Sequence, residues 1–514
     1  MRYMNMLQLH QRFIQTAKRF PNRIAVHDKA TMADYSYSRM LIASFILKEH
    51  IGKVKGRYIG VLLPTGVGAM LTILGTLMKG KVPVMINYAT GAIENCRYAQ
   101  DKCQFRTIIT SKKLLDKLDL KPIKDMIFVE DILARVDLKS KLKAALITKL
   151  PFAILKDMVH HGELSETSVI LFTSGSEKEP KAVQLSHRNI LHNVNAFPTM
   201  IKLDENDVFA SILPMFHVFG LTVDFWLPAL IGASMVTYPN PLEYRTVCDY
   251  IRDYKVTFIA ATPAFFYGYL QKSQAGDFAS VKIAIAGADK LPEKLYEGFL
   301  KKHNLTVYEG YGTTETSPVI STCYPGLHKA GSIGKPIPNT QVRILDVNTD
   351  KILGPNQEGK ILVKGDLVME GYLHDLEQTS LRIHNGWYDT GDIGLVDEDG
   401  FLYHKGRLKR FVKVGGEMVS LVKVEELLSE LLPDDVICCV VDVPHPTKGA
   451  DVVAAVANGD FDMHKVLKQL KKELPAIAIP KQFHVIEDIP MMASGKVNFR
   501  EVETIVRDKI SKKH

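Results

Sequence analysis

Short apolar runs recur between about residues 20 and 300: RIAVHD, YIGVLL, VPVMIN, TIITS, MIFVE, VILF, SMVTY, TFIAAT and KIAIAG, each closed by turn or capping residues. Such runs read as strands buried on both faces, and the longer amphipathic stretches between them read as helices. The alternation is that of an α/β protein with substantially parallel sheets. Residues 58–78 carry no charge over 21 positions, the length of a membrane span. Pro64-Thr65-Gly66 and Gly68 interrupt them, which predicts a strand (YIGVLL) followed by a buried helix (GAMLTILGTLM) instead.

From Ser332 to Tyr403 the runs shorten and Gly/Asp-rich turns such as VNTDKILGPNQEG and DEDG join them, which predicts a more β-rich subdomain. Beyond Gly406-Arg407 the pattern becomes compact α+β: a helix over Val422–Leu432, strands at VICCVVDV and DVVAAVA, and a helix over His464–Glu473. No period of a solenoid repeat is present. A large N-terminal domain over 1–408 and a small α+β C-terminal domain over 409–514 are expected.

With 514 residues, 46% hydrophobic and 24% charged, the chain has material for several cored domains. The net charge of +8 is spread without a long basic block, which speaks against nucleic acid as a partner. The six cysteines form no CxxC pair, so neither a zinc site nor a disulfide framework is expected, and a reducing cytoplasm fits best. MRYMNMLQLHQRF lacks an apolar core of signal-peptide length. Residues 111–125 and 139–156 interleave lysines with apolar residues. Both fit solvated helix faces, and both fit basic helices lying on an anionic membrane.

Candidate chemistry concentrates in FTSGSEKEPKAV, residues 172–183. A predicted strand, Ser168–Phe172, leads into Thr173, Ser174, Gly175 and Ser176. Three hydroxyls and a tight backbone suit anionic oxygens, and Lys178 and Lys181 add charge. A nucleotide-phosphate loop and an ordinary Ser/Thr-rich strand-to-helix turn both fit this segment. It is no Walker A loop, because the second glycine of GxxxxGK[ST] is missing.

Six further segments follow in order: PMFHVFG (214–220), the pair AGADKL (286–291) and YEGYGTTET (308–316), WYDTGD (387–392), GRLKRFVKVGGEMVSLVKVEE (406–426) and SGKVNFR (494–500). In this order and spacing the chain resembles, over nearly its whole length, the adenylate-forming superfamily of acyl- and aryl-CoA synthetases, luciferases and adenylation domains. LFTSGSE, LPMFHVFGLTVDF, YPNPLEYR, GADKL and GGEMVSL most resemble bacterial acyl-[acyl-carrier-protein] synthetases, the ligase half of a bifunctional 2-acylglycerophosphoethanolamine acyltransferase.

The resemblance implies ATP and Mg²⁺ as cofactors and a mobile C-terminal domain. Thr173, Ser174, Gly175, Ser176 and Lys181 would close over the β- and γ-phosphates. Tyr311 would stack on adenine opposite Gly287 and Ala288, with Gly312 giving close approach. Thr314 would touch the α-phosphate and Glu315 would bind Mg²⁺. Asp392 and Arg407 would hold the ribose, Lys409 would be the hinge, and Lys496 would bridge the attacking carboxylate and the phosphate. His217 would stand at the acyl entrance, although a core histidine explains it nearly as well. The loop departs from the family pattern at Lys178 and Ala182, where glycines are usual, and at Glu177. A stiffer loop with slower turnover is the expectation.

The implied reaction activates a fatty acid as its acyl-adenylate and passes the acyl group to a phosphopantetheine thiol. Acyl carrier protein is the favoured acceptor and coenzyme A the alternative. Peripheral contact with the inner face of the membrane is the further expectation for such a lipid enzyme. A non-catalytic acyl-adenylate or lipid-binding relative is the competing class.

Overall fold

The computed structural model describes residues 7–173, 179–414, 417–433, 436–445, 449–457, 461–491 and 497–511. They fall into two compact units. The larger takes in Met1–Gly175, Glu179–Gln341 and Val363–Tyr388, and the smaller takes in Val342–Leu362 and Asp389–His514.

The predicted strands of the first 300 residues form two sheets in the larger unit. One has seven strands in the order Gly371–Tyr372, Ala182–Ser186, Thr167–Phe172, Val82–Met85, Tyr58–Leu62, Ile108–Thr110 and Met126–Phe128. It is parallel from Thr167–Phe172 to Met126–Phe128. The other has nine strands, and its middle, from Val307–Gly312 through Ile283–Ala286, Phe258–Ala261, Val208–Ser211 and Ser234–Thr237 to Ile24–Asp28, is parallel. Antiparallel strands cap both of its edges. Parallel strands buried on both faces have no polar side to show, which is why they read as continuous apolar runs.

Residues 58–78 fold as the strand Tyr58–Leu62 and the helix Val67–Met78. That helix meets helix Tyr37–Ile51 at Gly75, where an added Cβ would stand 3.1 Å from the Cβ of Leu47. Among the described residues no helix is long and apolar enough to cross a membrane. All six cysteines are buried, and burial pushes the thiols of Cys96, Cys103, Cys248 and Cys438 up to about 12. They act as small core residues.

In the smaller unit residues 392–396 pair antiparallel with Leu402–Arg407, and Phe411–Val414 with Glu417–Ser420. A three-stranded sheet follows, Ile437–His445 antiparallel to Gly449–Ala457, which is parallel to Gln482–Ile486. Its residues alternate between two cores. Val440, Val452, Ala454 and Val456 join Val424 and Leu428 of helix Leu421–Leu431 and Val466 and Leu470 of helix Met463–Glu473. Cys439, Val441, Val453 and Ala455 join Val502 and Val506 of helix Phe499–Ser511. That last helix, the strand Gln482–Ile486 and the opening helix Leu9–Arg19 were not among the predicted elements. The strand buries only His484 and Ile486, and the opening helix buries polar His10, Gln11 and Thr16 among its apolar residues, so neither shows a clean apolar pattern.

A buried histidine pair couples the fold to pH. His10 and His187 stand with ring centres 5.7 Å apart. His10 Nε2 reaches the carbonyl of His160, 3.0 Å away, and His187 Nδ1 accepts the Leu9 N–H at 3.3 Å. Burial pushes His10 down to about 4 and His187 well below the usual imidazole value. Both are therefore neutral in the fold, while the unfolded chain takes up protons near its ordinary value. The His10 contribution is intact above about pH 6.5 and is lost as pH falls toward 4, amounting to about 3 kcal/mol. Thermal unfolding at pH 7 and pH 5 is expected to show about 2 kcal/mol of this loss, and His10→Gln, which keeps a donor for His160, should remove that share. Equal pH dependence in both proteins would rule His10 out as a source.

Candidate active site

Residues 173–181 join two antiparallel strands, with Phe172 opposite Ala182, so the strand-to-helix turn expected as one reading of this segment is not what forms. The Thr173 N–H donates to the Lys181 carbonyl at 3.0 Å, and the Lys181 N–H donates to the Thr173 hydroxyl at 3.1 Å. These two predicted phosphate residues close the base of the loop. Ser174, Gly175 and Ser176 lie outside the described residues, as does Lys178. Ala182 is fully buried in an extended strand, a conformation that needs no glycine.

Strand order brings a second set of residues to Lys181. Gly371–Tyr372 pairs along Ala182–Ser186 with Tyr372 opposite Val183, two positions beyond the lysine. The Lys181 ammonium lies 4.9 Å from the centre of the Tyr372 ring and donates to Gln378 Oε1 at 2.9 Å. The Tyr372 hydroxyl donates to Glu315 Oε1 at 2.8 Å. The Glu315 carbonyl accepts from the Met369 N–H, also at 2.8 Å. Tyr388 is buried close to Glu315 and Tyr372. Lys181 and Glu315, 134 positions apart in the chain, are thus joined through one tyrosine. Nothing in the sequence marked Tyr372 or Gln378, since only sheet register places them here.

Thr314 and Glu315 sit on a single 3-10 turn, Thr314–Thr316, capped by reciprocal contacts between Thr313 and Thr316. Preceding it, Val307–Gly312 runs parallel to Ile283–Ala286, with Ala286 opposite Glu309. The C-terminal ends of these two strands therefore present Gly287-Ala288 and Gly310-Tyr311-Gly312 side by side, where open α/β sheets bind ligands. Ala288 holds a left-handed backbone at φ 74°. A Cβ on Gly287 would stand 2.9 Å from the Phe219 ring. A carboxylate and a hydroxyl on one short turn offer the oxygen ligands that suit Mg²⁺. The residues present therefore fit that ion.

His217 is half-buried at a bend, its ring 4.6 Å from that of Phe216, ahead of a π-helical segment, Gly220–Trp226. Within it, buried Asp224 accepts the N–H groups of Ile212 and Leu213 at 3.2 and 3.0 Å. Burial pushes its carboxyl far above the usual range. This ties the PMFHVFG segment to the end of strand Val208–Ser211. In the sequence LTVDF gave no sign of it, because a carboxyl in an apolar run has no local periodic signature.

In the smaller unit Asp392 and Arg407 are directly opposite across two strands, with Arg407 Nε 3.4 Å from Asp392 Oδ1. His404, not singled out in the sequence, brings Nε2 to 3.7 Å of the same oxygen. Asp392 is buried, and its N–H donates to Thr390 Oγ1 at 3.1 Å. Lys409 lies on the 3-10 turn Leu408–Arg410 between two held arginines. Arg407 faces Asp392, and Arg410 is paired with Glu425 at 2.8 Å and donates to the Val440 carbonyl at 2.7 Å. Lys496 lies outside the described residues.

Against known proteins, the model of the AMP-binding enzyme family matches residues 13–373. The chain belongs to that family. The model of the AMP-binding enzyme C-terminal domain matches residues 423–496. Among curated relatives, a long-chain-fatty-acid–CoA ligase of Bacillus subtilis (strain 168) is 29% identical, over 94% of this chain and 91% of the relative. Its namesake in Escherichia coli O157:H7 is 26% identical, over 91% and 88%. The O-succinylbenzoate coenzyme A synthetase of Bacillus subtilis, solved in complex with ATP and magnesium ion, superposes with a TM-score of 0.81 at 22% identity, covering 96% of this chain and 99% of that one. The AMP-binding fold, a large N-terminal α/β domain with a small C-terminal one, is thus this protein's fold.

Proposed function

We propose that this AMP-binding enzyme is an acid–thiol ligase that activates a medium- to long-chain fatty acid with ATP and Mg²⁺. A carboxylate oxygen of the fatty acid bonds to the α-phosphorus, the bond from that phosphorus to the bridging oxygen breaks, and pyrophosphate leaves. A pantetheine thiolate then attacks the acyl carbon, and AMP departs with the former carboxylate oxygen.

The observation that carries the reading is the Lys181–Tyr372–Glu315 cluster, which holds a phosphate-loop cation and a metal-type carboxylate together at the sheet edge. Two anions must meet in the first step, so positioned positive charge and donors supply most of the barrier lowering. Thr173, Ser174, Gly175, Ser176 and Lys181 take the β- and γ-phosphates. Tyr311, Gly312, Gly287 and Ala288 take adenine, Thr314 takes the α-phosphate, and Asp392 with Arg407 takes the ribose. Glu315 would hold Mg²⁺, which when bound offsets phosphate charge. Lys496 is the adenylation lysine and Lys409 the hinge, with the functional boundary at 408/409. His217 borders the acyl entrance.

The acceptor has two supported readings. The names of the full-length relatives favour coenzyme A. The segments LFTSGSE, LPMFHVFGLTVDF and GGEMVSL, with a net charge of +8 suited to an acidic carrier, favour acyl carrier protein. Pyrophosphate release on adding ATP and fatty acids of increasing length tests the first step, and its absence would leave a non-catalytic binding protein. Thioester formation with each acceptor at matched thiol and two salt concentrations decides the second. Carrier transfer should be salt-sensitive, and faster, salt-insensitive transfer to coenzyme A would eliminate the carrier.

A further inference from the structure

The two lysine-rich segments fold in opposite senses. In helix Lys112–Lys117 the leucines Leu114 and Leu115 are buried and the lysines face water, the arrangement of a solvated helix. Helix Leu138–Lys149 is turned the other way. Its buried face consists of Ala144 and Thr148, while Leu138, Leu142 and Leu146 are 71%, 57% and 65% exposed. Spaced four apart, they form one stripe about 12 Å long over successive turns. Leu133 before the helix and Ile154 after it are also exposed, at 60% and 47%.

Isolated exposed leucines need no explanation, but a contiguous row does. Residues 135–156 add Arg135 and Lys139, Lys141, Lys143, Lys149 and Lys156 against the single acid Asp137. Lys139, Lys141, Lys143 and Lys149 are all exposed beside the stripe. A second copy of the same basic face would repel it. An acidic helix without an apolar stripe of its own would meet the lysines and leave the leucines wet. An anionic lipid surface satisfies both, with leucines in the acyl boundary and ammonium groups at the headgroups.

We infer that the face of residues 133–156 is a docking surface for an anionic membrane, entered by Leu138, Leu142 and Leu146. It uses no residue of the proposed active site, so the inference stands or falls apart from the ligase reading.

The test is co-sedimentation of the full chain with phosphatidylcholine vesicles, with and without phosphatidylglycerol. Binding is expected only to the anionic vesicles, falling steeply as salt rises. The triple variant Leu138→Ser/Leu142→Ser/Leu146→Ser should lower partitioning at least about tenfold. Each of Lys139→Gln, Lys141→Gln and Lys143→Gln should lower it about fivefold. Unfolding midpoints, and pyrophosphate release with a short, water-soluble fatty acid, should match the parent. Three results would each overturn the inference: equal binding to neutral vesicles, equal binding by the leucine variant, or a dimer in size-exclusion chromatography that the leucine variant dissolves. Loss of carrier-protein transfer in the lysine variants, with no vesicle binding by the parent, would assign the face to a protein instead.

Discussion

Lys496→Ala is expected to slow acyl-adenylate formation by about two to three decades while leaving thioester formation from supplied acyl-adenylate within a few-fold of the parent. One positioned charge at a phosphoryl centre contributes on the order of 3 to 4 kcal/mol to the transition state. On the proposed reading, in which a domain turning about Lys409 would present the lysine only during adenylation, the effect should fall on one half-reaction. The two held arginines around Lys409 give such a turn defined ends, since Arg407 faces Asp392 and Arg410 is fixed on Glu425 and Val440. Pyrophosphate release and single-turnover thioester formation measure the two steps separately. Equal loss in both would refute the alternation, whatever became of the overall rate.

Gly312→Ala should damage both stability and nucleotide binding. A Cβ there would lie 1.9 Å from the Pro318 carbonyl oxygen, 2.6 Å from its carbon and 3.0 Å from Val319 Cα. All three are backbone atoms of the paired strand segment, so no rotamer change relieves the clash. Forcing the two segments apart should cost on the order of 3 kcal/mol, lowering the unfolding midpoint by about 3 °C, at about 1 °C per kcal/mol for a chain of this size. It should also raise the KM for ATP through displacement of Tyr311 and of the turn bearing Glu315. Gly310→Ala is the control. Its nearest contacts are Ile285 Cγ2 at 3.2 Å and Thr322 Oγ1 at 3.3 Å, side-chain atoms that can shift, so a milder loss is expected. An unchanged midpoint and KM in Gly312→Ala would mean the strand ends do not approach as described.

The sequence by itself determined the elements and the chemistry that local pattern encodes. Strands such as Ile283–Ala286 and Val82–Met85 are buried on both sides, so an apolar run bounded by turn residues was enough to find them. Gly66 and its neighbours likewise turned an uncharged stretch into a strand and a helix. The candidate residues Thr173, Lys181, Glu315, Asp392 and Arg407 were legible because each sits in a short motif whose residues are adjacent in the chain. Partnerships across the chain were not legible. Tyr372 reaches Glu315 only because Gly371–Tyr372 adds to the sheet beside Ala182–Ser186. His404 nears Asp392 through antiparallel pairing, and Asp224 became a backbone clamp inside an apolar helix. Lysine spacing likewise could not say which way the helix Leu138–Lys149 faces. Periodicity names the faces of a helix, but which face is buried depends on the surface it meets. Against helix Tyr37–Ile51 the side chains turned inward are the small ones, Ala144 and Thr148, and the leucines are left outside.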